Sequence, residues 1–340
     1  MASKAGVAIV EDERQEERGE DPLDIFSIPP VNTDYEKHVD LFIEPTSNIT
    51  QKGPIVFKWE TLGGERWDAS KTEIETKYKI IKTSTNQKTT AADDLSVINS
   101  LPTVHWDKIE LKMNDKVVTD SSSGNHAYHA YMAQKNTYNR NVKREILKTT
   151  EFYFEEEVDK MNQKELKINP DSSPVNDAFR QKHNVWVKNP KELVTRAQVY
   201  LDLCNVHKYY PTDIDFVMTL TRNSDAFCLM SRAANEGKYQ IVITSIRLIV
   251  RTIIPAKHII DREAAYFKKS KAYIPYTHST MTTDLLQGGT ITKTFTDVCG
   301  TQPSLPKQLF VFFVDHLAFS GEESFIKWWW WWCNIQTYLI

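Results

Sequence analysis

The sequence predicts an all-β protein built from antiparallel sandwiches, and three observations carry this prediction. From Val39 onward, short runs that alternate apolar and polar side chains are separated by clusters of Pro, Gly, Asn, Asp and Ser, which is typical of strands and turns. Strands follow strands without regularly alternating helices, which favours antiparallel sheets over parallel βαβ units. The chain has 340 residues, more than one core usually fills, so we expect two packed units.

Four segments illustrate the strand pattern. Residues 74–80 alternate apolar or threonine side chains with charged ones, as a half-buried strand requires. Residues 109–113 alternate in the same way and are followed by Asn114-Asp115 and a second apolar pair, which predicts a tight hairpin. The alternation recurs in residues 197–203 and 214–220. We therefore predict strands at all four places.

Other segments depart from this pattern. Residues 126–147 and 262–271 contain helix-forming residues with few breakers, so we predict a helical insertion at each. Residues 239–254 indicate a long apolar strand pair in which the inward positions change from odd to even, which predicts a bulge or a change of sheet. Because the composition becomes polar and Lys-rich after Ile254-Pro255, we place a domain boundary there.

The composition is typical of an ordinary globular protein. Hydrophobic residues make up 41% of the chain and the formal net charge is -3, so bulk charge does not select a nucleic-acid partner. No apolar stretch is long enough for a secretory signal, and the longest candidate for a membrane span is interrupted by Arg247 and Arg251. We expect no membrane span and synthesis as a soluble intracellular protein of the host cell.

The motifs of known enzyme classes are missing from the sequence. Glycine occurs 11 times, and its only pairs are Gly63-Gly64 and Gly288-Gly289, so no phosphate-binding loop or dinucleotide fingerprint can be written. Nucleophile-elbow, zinc-protease and EF-hand spacings are also missing. We name no catalytic, cofactor-binding or metal-ligating residues, and we expect a non-enzymatic protein without a cofactor.

The histidines and cysteines each allow two interpretations, a role in metal or redox chemistry and a structural role. On a helix His126 and His129 share one face and offer two metal ligands without an identifiable third, whereas the simpler interpretation is solvent-facing or hydrogen-bonded rings. Cys204 and Cys228 lie in apolar runs, which favours buried reduced thiols over a metal or redox role. The other two cysteines, Cys299 and Cys333, are equally isolated.

Two charged or aromatic runs also need interpretation. The basic side chains of residues 135–148 either pair with Glu155-Glu156-Glu157 at the surface or contact nucleic acid, a contact that we expect only inside a particle. Residues 328–332 are five consecutive tryptophans, which no strand or helix places on one buried face. An altered reading frame or faulty gene boundary explains them better than a membrane belt or an aromatic cage.

Several blocks of the sequence are more specific than strand alternation. They include DIFSIPP at residues 24–30 with GPIVF at 53–57, and WDKIELKMNDKVVT at 106–119 with AYHAY at 127–131. The most specific is VMTLTRNSDAFCLMS at 217–231. These blocks resemble the major capsid proteins of Polinton/Maverick elements and their adintovirus relatives. Together with later, weaker matches, these blocks cover most of residues 24–325.

The resemblance implies a fold and a role. We expect two antiparallel jelly-roll sandwiches side by side, with short helical insertions. The chain would be a structural subunit whose homotrimers form pseudo-hexagonal capsomers. Together with minor capsid proteins, these capsomers would build the icosahedral shell of a virion. Family members continue past Phe325 with strands that complete the second jelly roll, so this chain's second jelly roll should be incomplete. We predict four parts in the chain: an acidic disordered arm, residues 1–22; a first jelly roll, 23–255; a partial second jelly roll, 256–325; and an aberrant Trp-rich tail, 326–340.

Three alternatives are a related capsid protein and two β-sandwich proteins of other functional classes. A minor capsid protein of the penton type needs only one jelly roll. A carbohydrate-binding β-sandwich would use exposed tryptophans as stacking platforms, whereas Trp59, Trp67, Trp106 and Trp186 are scattered as core residues usually are. A jelly-roll enzyme of the cupin kind would need closely spaced His and Glu ligands on adjacent strands, and the sequence contains no HxH.

Overall fold

The structure is a computed structural model. It describes these residues: 35–50, 52–119, 126–127, 129–130, 133, 177–188, 192–206, 208–231, 237–276, 279 and 285. The acidic arm (1–22), most of the partial second jelly roll (256–325) and the Trp-rich tail (326–340) lie outside the described residues, as do the basic run and the glutamate cluster.

Antiparallel strands dominate the described part of the chain, as predicted. The strands are β1 (Tyr35–Ile43), β2 (Ile55–Thr61), β3 (Arg66–Lys82), β4 (Leu95–Val97), β5 (Trp106–Met113), β6 (Lys116–Val117), β7 (Leu193–Gln198), β8 (Ile214–Arg222), β9 (Leu229–Ser231) and β10 (Tyr239–Pro255). The helices are α1 (Leu101–Val104), α2 (Asp177–His183), α3 (Asp225–Cys228) and α4 (Lys257–Phe267), with a π-helical turn at Asn184–Lys188 and a 3-10 turn at Asp202–Cys204.

Strand order defines a jelly roll. One four-stranded sheet has the order β1-β10-β3-β7 and the other has the order β2-β8-β5-β6, while β4 and β9 form a small separate sheet. Numbering the eight strands of the two large sheets consecutively gives 1-8-3-6 and 2-7-4-5, which is the interleaved order of an eight-stranded jelly roll. The fold class is therefore all-β and antiparallel, as the sequence predicted. Of residues 256–325, predicted as a partial second jelly roll, residues 256–276, 279 and 285 are described.

The long central strands β3 and β10 pair along most of their 17 residues each. Residues 239–254 were predicted as a strand pair and instead form this one continuous strand. The predicted bulge is present, because the register shifts between Ile243 and Ser245. The shift lets Ile241 and Ile243 and then Ile246 and Leu248 all point into the core.

Turn chemistry explains the β5–β6 hairpin. Asn114 and Asp115 adopt positive φ angles of 47° and 64°, which a two-residue type I′ turn requires and which Asn and Asp tolerate better than most residues. The Asn114 side chain also accepts a hydrogen bond from the Asp215 N–H at 2.9 Å. The predicted hairpin is confirmed, and it joins the neighbouring strand through this bond.

Residues 217–231, the block with the most specific resemblance, contain a turn that is held by side-chain hydrogen bonds. After β8, Asn223 donates through its side chain to the Val104 carbonyl at 2.7 Å. Ser224 then caps α3 by accepting the Phe227 N–H at 3.2 Å. Asp225 accepts the Ile241 N–H at 3.2 Å. These side chains tie the turn to α1 and to the first residues of β10.

Two predicted elements have other boundaries in the structure. The strand predicted at residues 197–203 is β7, which begins at Leu193 and ends at Gln198, and Leu203 lies in the 3-10 turn. The helix predicted at residues 262–271 begins at Lys257 and ends at Phe267. In the predicted helix 126–147 the described residues 126–127, 129–130 and 133 are helical, and the remainder lies outside the described residues. No helix in the described ranges is long and apolar enough to cross a membrane.

Candidate functional site

The space between the two sheets is filled by aromatic side chains. Trp59 stacks on Phe216 with ring centroids 5.1 Å apart, and Trp67 meets Phe216 edge to face at 4.7 Å. Tyr210 closes the group at 5.0 Å from Trp67 and donates its hydroxyl to the Leu203 carbonyl at 2.8 Å. Jelly-roll enzymes and lectins hold a ligand within or at the mouth of such a sandwich. Here the rings occupy the interior of the sandwich themselves.

A second buried group looks superficially catalytic. The Cys228 sulfur lies 3.8 Å from His105 Nδ1, and the Tyr78 ring packs edge-on against His105 at 5.4 Å. Burial raises the pKa of the Cys228 thiol well above its usual value and lowers the pKa of His105 to about 3. Both groups are therefore neutral at pH 7, and a neutral thiol is a poor nucleophile. The arrangement serves packing and not covalent chemistry.

A small cleft contains the histidines that the sequence singled out. Its volume is about 60 Å³ and its walls include His126, His129 and Asp202, whereas ligand pockets usually measure roughly 300–1,000 Å³. Burial lowers the pKa of His126 to about 3, and the ring is 5% exposed, so the solvent-facing interpretation was wrong for His126. The Asp202 carboxylate accepts the Ser279 N–H and hydroxyl at 2.6 and 2.9 Å. The three side chains do not form a metal-ligand set within the described ranges.

The other predicted core residues are where the sequence placed them. Trp59, Trp67, Trp106 and Trp186 are between 0% and 8% exposed. Cys204 and Cys228 are buried free thiols, as predicted. None of the four tryptophans is available as a stacking platform for a sugar ring.

The outer face of the first sheet carries an ion-pair network. Glu75 in β3 accepts hydrogen bonds from Arg196 at 2.7 Å and Arg247 at 2.6 Å, on the two neighbouring strands. Although partial burial opposes the shift, these two guanidinium groups hold the pKa of Glu75 below its usual value. At the end of the same face Arg251 donates twice to Asp40, at 2.7 and 3.0 Å, which lowers the pKa of that carboxyl. The network ties β1, β10, β3 and β7 together across their width.

The exposed apolar side chains of the described strands lie at the sheet edges. All large apolar side chains that are exposed on described strands lie on edge strands: Tyr35 and Phe42 in β1, Val117 in β6 and Val194 in β7. Phe42 lies under the Arg247 guanidinium at 4.8 Å. By contrast, the β2 edge is partly covered, because Thr46 and Ser47 bond the backbone of Val56. We call the exposed apolar positions on β1, β6 and β7 the apolar edges.

Sequence reasoning named no site residue, and the apolar edges show why. Whether Phe42 or Val194 is an edge residue depends on strand order, and strand order joins residues more than 100 positions apart. The one usable local signal was an apolar residue on the charged side of an alternating strand. In β7, Val194 lies on the same face as Arg196, where alternation alone would place a polar residue.

The fold defines this chain as a jelly-roll protein. No family model matches it, and no curated protein matches it. Solved structures with a similar fold include that of the Sputnik virophage, with 12% identity, a TM-score of 0.43, and coverage of 76% of this chain and 54% of that chain. The mavirus major capsid protein gives 12% identity, a TM-score of 0.36, and coverage of 76% and 55%. The PBCV-1 virus capsid gives 10% identity, a TM-score of 0.32, and coverage of 71% and 47%. The chain spans about half the length of these structures.

Proposed function

We propose that this chain is a structural subunit of a virus-type capsid, located in the virion. The observation that carries the proposal is the jelly-roll strand order combined with an interior that is filled by aromatic side chains. A sandwich of this kind offers its faces and edges for contact, and between the described strands aromatic rings pack in its interior. Copies of the chain would meet through the apolar edges, where exposed apolar residues lie on strands that are edge strands among the described residues.

The finer proposal is a major capsid protein of the Polinton/Maverick type. It rests on the sequence blocks at residues 106–119 and 217–231, which form β5–β6 and β8–α3–β9. Under this proposal three copies form a pseudo-hexagonal capsomer, and minor capsid proteins complete the shell. The chain would be made as a soluble protein in the host cell, would span no membrane, and would act without catalysis.

A penton-type minor capsid protein is the second candidate. It needs a single jelly roll, and the strands between Tyr35 and Pro255 make one complete jelly roll by themselves. The two candidates differ in symmetry, because a penton subunit forms five-fold rings whereas a major capsid subunit forms trimers.

The test is the oligomeric state of the purified full-length chain. Light scattering coupled to size-exclusion chromatography gives the subunit number, and negative-stain electron microscopy gives the outline. A trimer with a hexagonal outline supports the major capsid proposal. A ring of five supports the penton candidate instead, and a monomer at all concentrations refutes both.

A matched pair of variants tests the apolar edges. Val194→Lys places a charge on the β7 edge, where the side chain is 58% exposed and the substitution removes little buried apolar surface. Leu62→Lys is the control, because Leu62 is 55% exposed but lies in the turn between β2 and β3. We expect Val194→Lys to lower the assembled fraction while Leu62→Lys leaves it unchanged. Equal assembly of the two variants would exclude the β7 edge from the interface.

A further inference from the structure

Helix α4 is fixed to the sandwich by one face. Its Glu263 forms an ion pair with Arg66, and Arg66 is 5% exposed and also donates to the Gly64 carbonyl at 2.8 Å. Ile260, one turn earlier, lies against Gly64 in the turn between β2 and β3. The helix therefore has a defined orientation at this end of the sandwich, and its opposite face points away from the sheets.

That opposite face carries histidine, arginine, tyrosine and lysine side chains. His258, Arg262 and Tyr266 follow each other at four-residue spacing, which places them in one stripe of the helix. Lys269 extends the stripe in the turn after the helix, where its N–H donates to the Tyr266 carbonyl at 2.9 Å. All four residues are exposed, Tyr266 by 65%.

The chain beyond the helix continues the same composition. Lys268, Lys271 and Tyr273 are exposed, the last by 78%. We call the exposed basic and aromatic residues between Lys257 and Tyr273 the basic-aromatic ridge.

The charge of this ridge opposes that of the whole protein. Residues 257–273 contain five Lys or Arg and two Asp or Glu, a net charge of +3 in a chain whose formal net charge is -3. One of the two acids, Glu263, is already neutralised by Arg66. Within the described ranges no carboxylate pairs with the ridge's lysines or with Arg262. Among the described residues the ridge is therefore a locally cationic surface, on which no carboxylate neutralises the lysines or Arg262.

We propose that the basic-aromatic ridge binds single-stranded nucleic acid. Lysine and arginine side chains neutralise phosphates, and tyrosine rings placed between them provide stacking platforms for unpaired bases, which is how proteins bind single strands without reading sequence. This surface is distinct from the basic run at residues 135–148. The proposal goes beyond the capsid role, since binding by the ridge requires no shell.

A membrane surface fits the ridge less well. Interfacial helices bury a continuous apolar face in the lipid. In α4 the aliphatic residues Ile259 and Ile260 are only partly exposed, and Ile260 contacts the sandwich. The exposed rings of Tyr266 and Tyr273 are instead separated by lysines. Such a surface offers stacking between charges, and Phe267, although 48% exposed, does not by itself make a continuous apolar stripe to insert.

The experiment measures binding of the full-length chain in its unassembled form by fluorescence anisotropy and by vesicle co-sedimentation. The probes are a labelled oligothymidylate of about 20 nucleotides, long enough for one binding site, a duplex of the same length, and vesicles of phosphatidylserine and phosphatidylcholine. We expect the single strand to bind more tightly than the duplex and the vesicles. Preference for the duplex or the vesicles, or the absence of oligothymidylate binding, would overturn the proposal.

Two sets of variants locate the binding. Removing the lysines at 268, 269 and 271 by substitution with alanine should reduce the slope of log affinity against log salt by about 2, because each phosphate contact in a single strand contributes about 0.7. Tyr266→Ala and Tyr273→Ala should each lower affinity about fivefold or more, while Tyr→Phe at either position retains it, because the stacking face is kept.

Matched controls keep the test specific. Lys58, Lys71 and Lys116 are exposed lysines outside the ridge, and Tyr209 is a 48% exposed tyrosine outside it. Alanine at these positions should leave both the affinity and the salt slope unchanged. If the lysine variants weaken binding but the Tyr→Ala variants do not, the ridge is a general polyanion site and the proposal of base stacking is wrong. Because the assay uses unassembled subunits, failure of the chain to form capsomers leaves this result unaffected.

Discussion

Mild acid should destabilise the sandwich, and two buried histidines set the size of the effect. His105 is 1% exposed and His126 is 5% exposed. Burial lowers the pKa of each to about 3 from an ordinary value of 6.5, and the nearby Arg222 and His129, respectively, add to that shift. The unfolded chain therefore binds protons between pH 6.5 and 3 that the folded chain does not. Stability is fully present above pH 6.5 and declines as the pH falls below it.

The magnitude follows from linkage. At pH 5 an unfolded histidine is almost fully protonated while the folded ring stays neutral, which costs on the order of 2 kcal/mol per histidine relative to pH 7.5. The two rings together predict a loss of about 4 kcal/mol in the free energy of unfolding. Carboxylates whose pKa is lowered in the folded chain, such as Glu75 and Asp40, also contribute to the free energy of unfolding. They lose this contribution only as the pH falls through and below the pKa of the unfolded chain, about 4. Asp225, whose pKa burial raises, acts in the opposite direction.

Urea unfolding followed by tryptophan fluorescence at pH 7.5, 6.5, 5.8 and 5.0 measures this dependence. His105→Gln and His126→Gln each replace a titrating ring by a neutral amide, so each variant should lose about half of the pH dependence. The control is His38→Gln, because His38 is exposed on β1, and it should retain the full dependence. A wild-type free energy that is constant from pH 7.5 to 5, or variants that decline as steeply as the wild type, would refute the reasoning.

Three further predictions concern packing, backbone and thiol chemistry. Trp67→Ala should lower the free energy of unfolding by about 3–5 kcal/mol in chemical denaturation, because the ring is fully buried among three other aromatic rings. Gly64→Ala should cost more than Gly63→Ala in the same assay: both residues have positive φ, but an added Cβ at Gly64 lies 2.9 Å from Ile260 Cδ1, whereas nothing lies within 4 Å at Gly63. Cys204 should resist iodoacetamide at pH 8 in the native protein, as read by peptide mass spectrometry, because burial raises the pKa of its thiol to about 12; labelling as fast as in urea would contradict this.

Local signals predicted those parts of the fold that short-range chemistry determines. Asn114-Asp115 identified its hairpin because few residue pairs accept two positive φ angles. The change of inward positions in residues 239–254 identified a bulge because alternation has a strict period of two. The error there was to assume two strands, since β10 passes through the bulge without a turn.

The boundaries that failed lacked such signals. Helix α4 begins after Ala256, which provides no side-chain cap, so nothing in the sequence marks its start. The alternation of residues 197–203 continues past the end of β7: Val199 still donates its N–H to the Thr72 carbonyl of β3, whereas Leu203 is buried although it lies in the 3-10 turn. Periodicity reports burial, and burial does not require hydrogen bonding to a neighbouring strand.

The candidate surfaces depend on long-range pairing and could not be predicted. Glu75 meets Arg196 and Arg247 across 121 and 172 positions of sequence. The orientation of the basic-aromatic ridge likewise depends on Arg66, which is 197 positions from its partner Glu263. The composition of residues 257–273 was noted as polar and Lys-rich, but only the contact with the sandwich shows which face of the helix is exposed.

The same long-range pairing constrains how this sandwich can form. Strand β10 lies between β1 and β3, and Tyr35 pairs with Pro255. The first sheet therefore cannot complete the pairing of its central strand until the last residues of β10 are available. Among the ladders of the two large sheets, only the β5–β6 hairpin is local in sequence. Ordering of such distant segments is slow, and unpaired strands can associate wrongly in the meantime. Strand β1 would wait longest for its partner, and its first half carries Glu36, Lys37, His38 and Asp40, charges that disfavour premature edge pairing. Its exposed apolar residues Tyr35 and Phe42 lie near the two ends of the strand with these charges between them, so the unpaired strand presents no continuous apolar edge on which to aggregate.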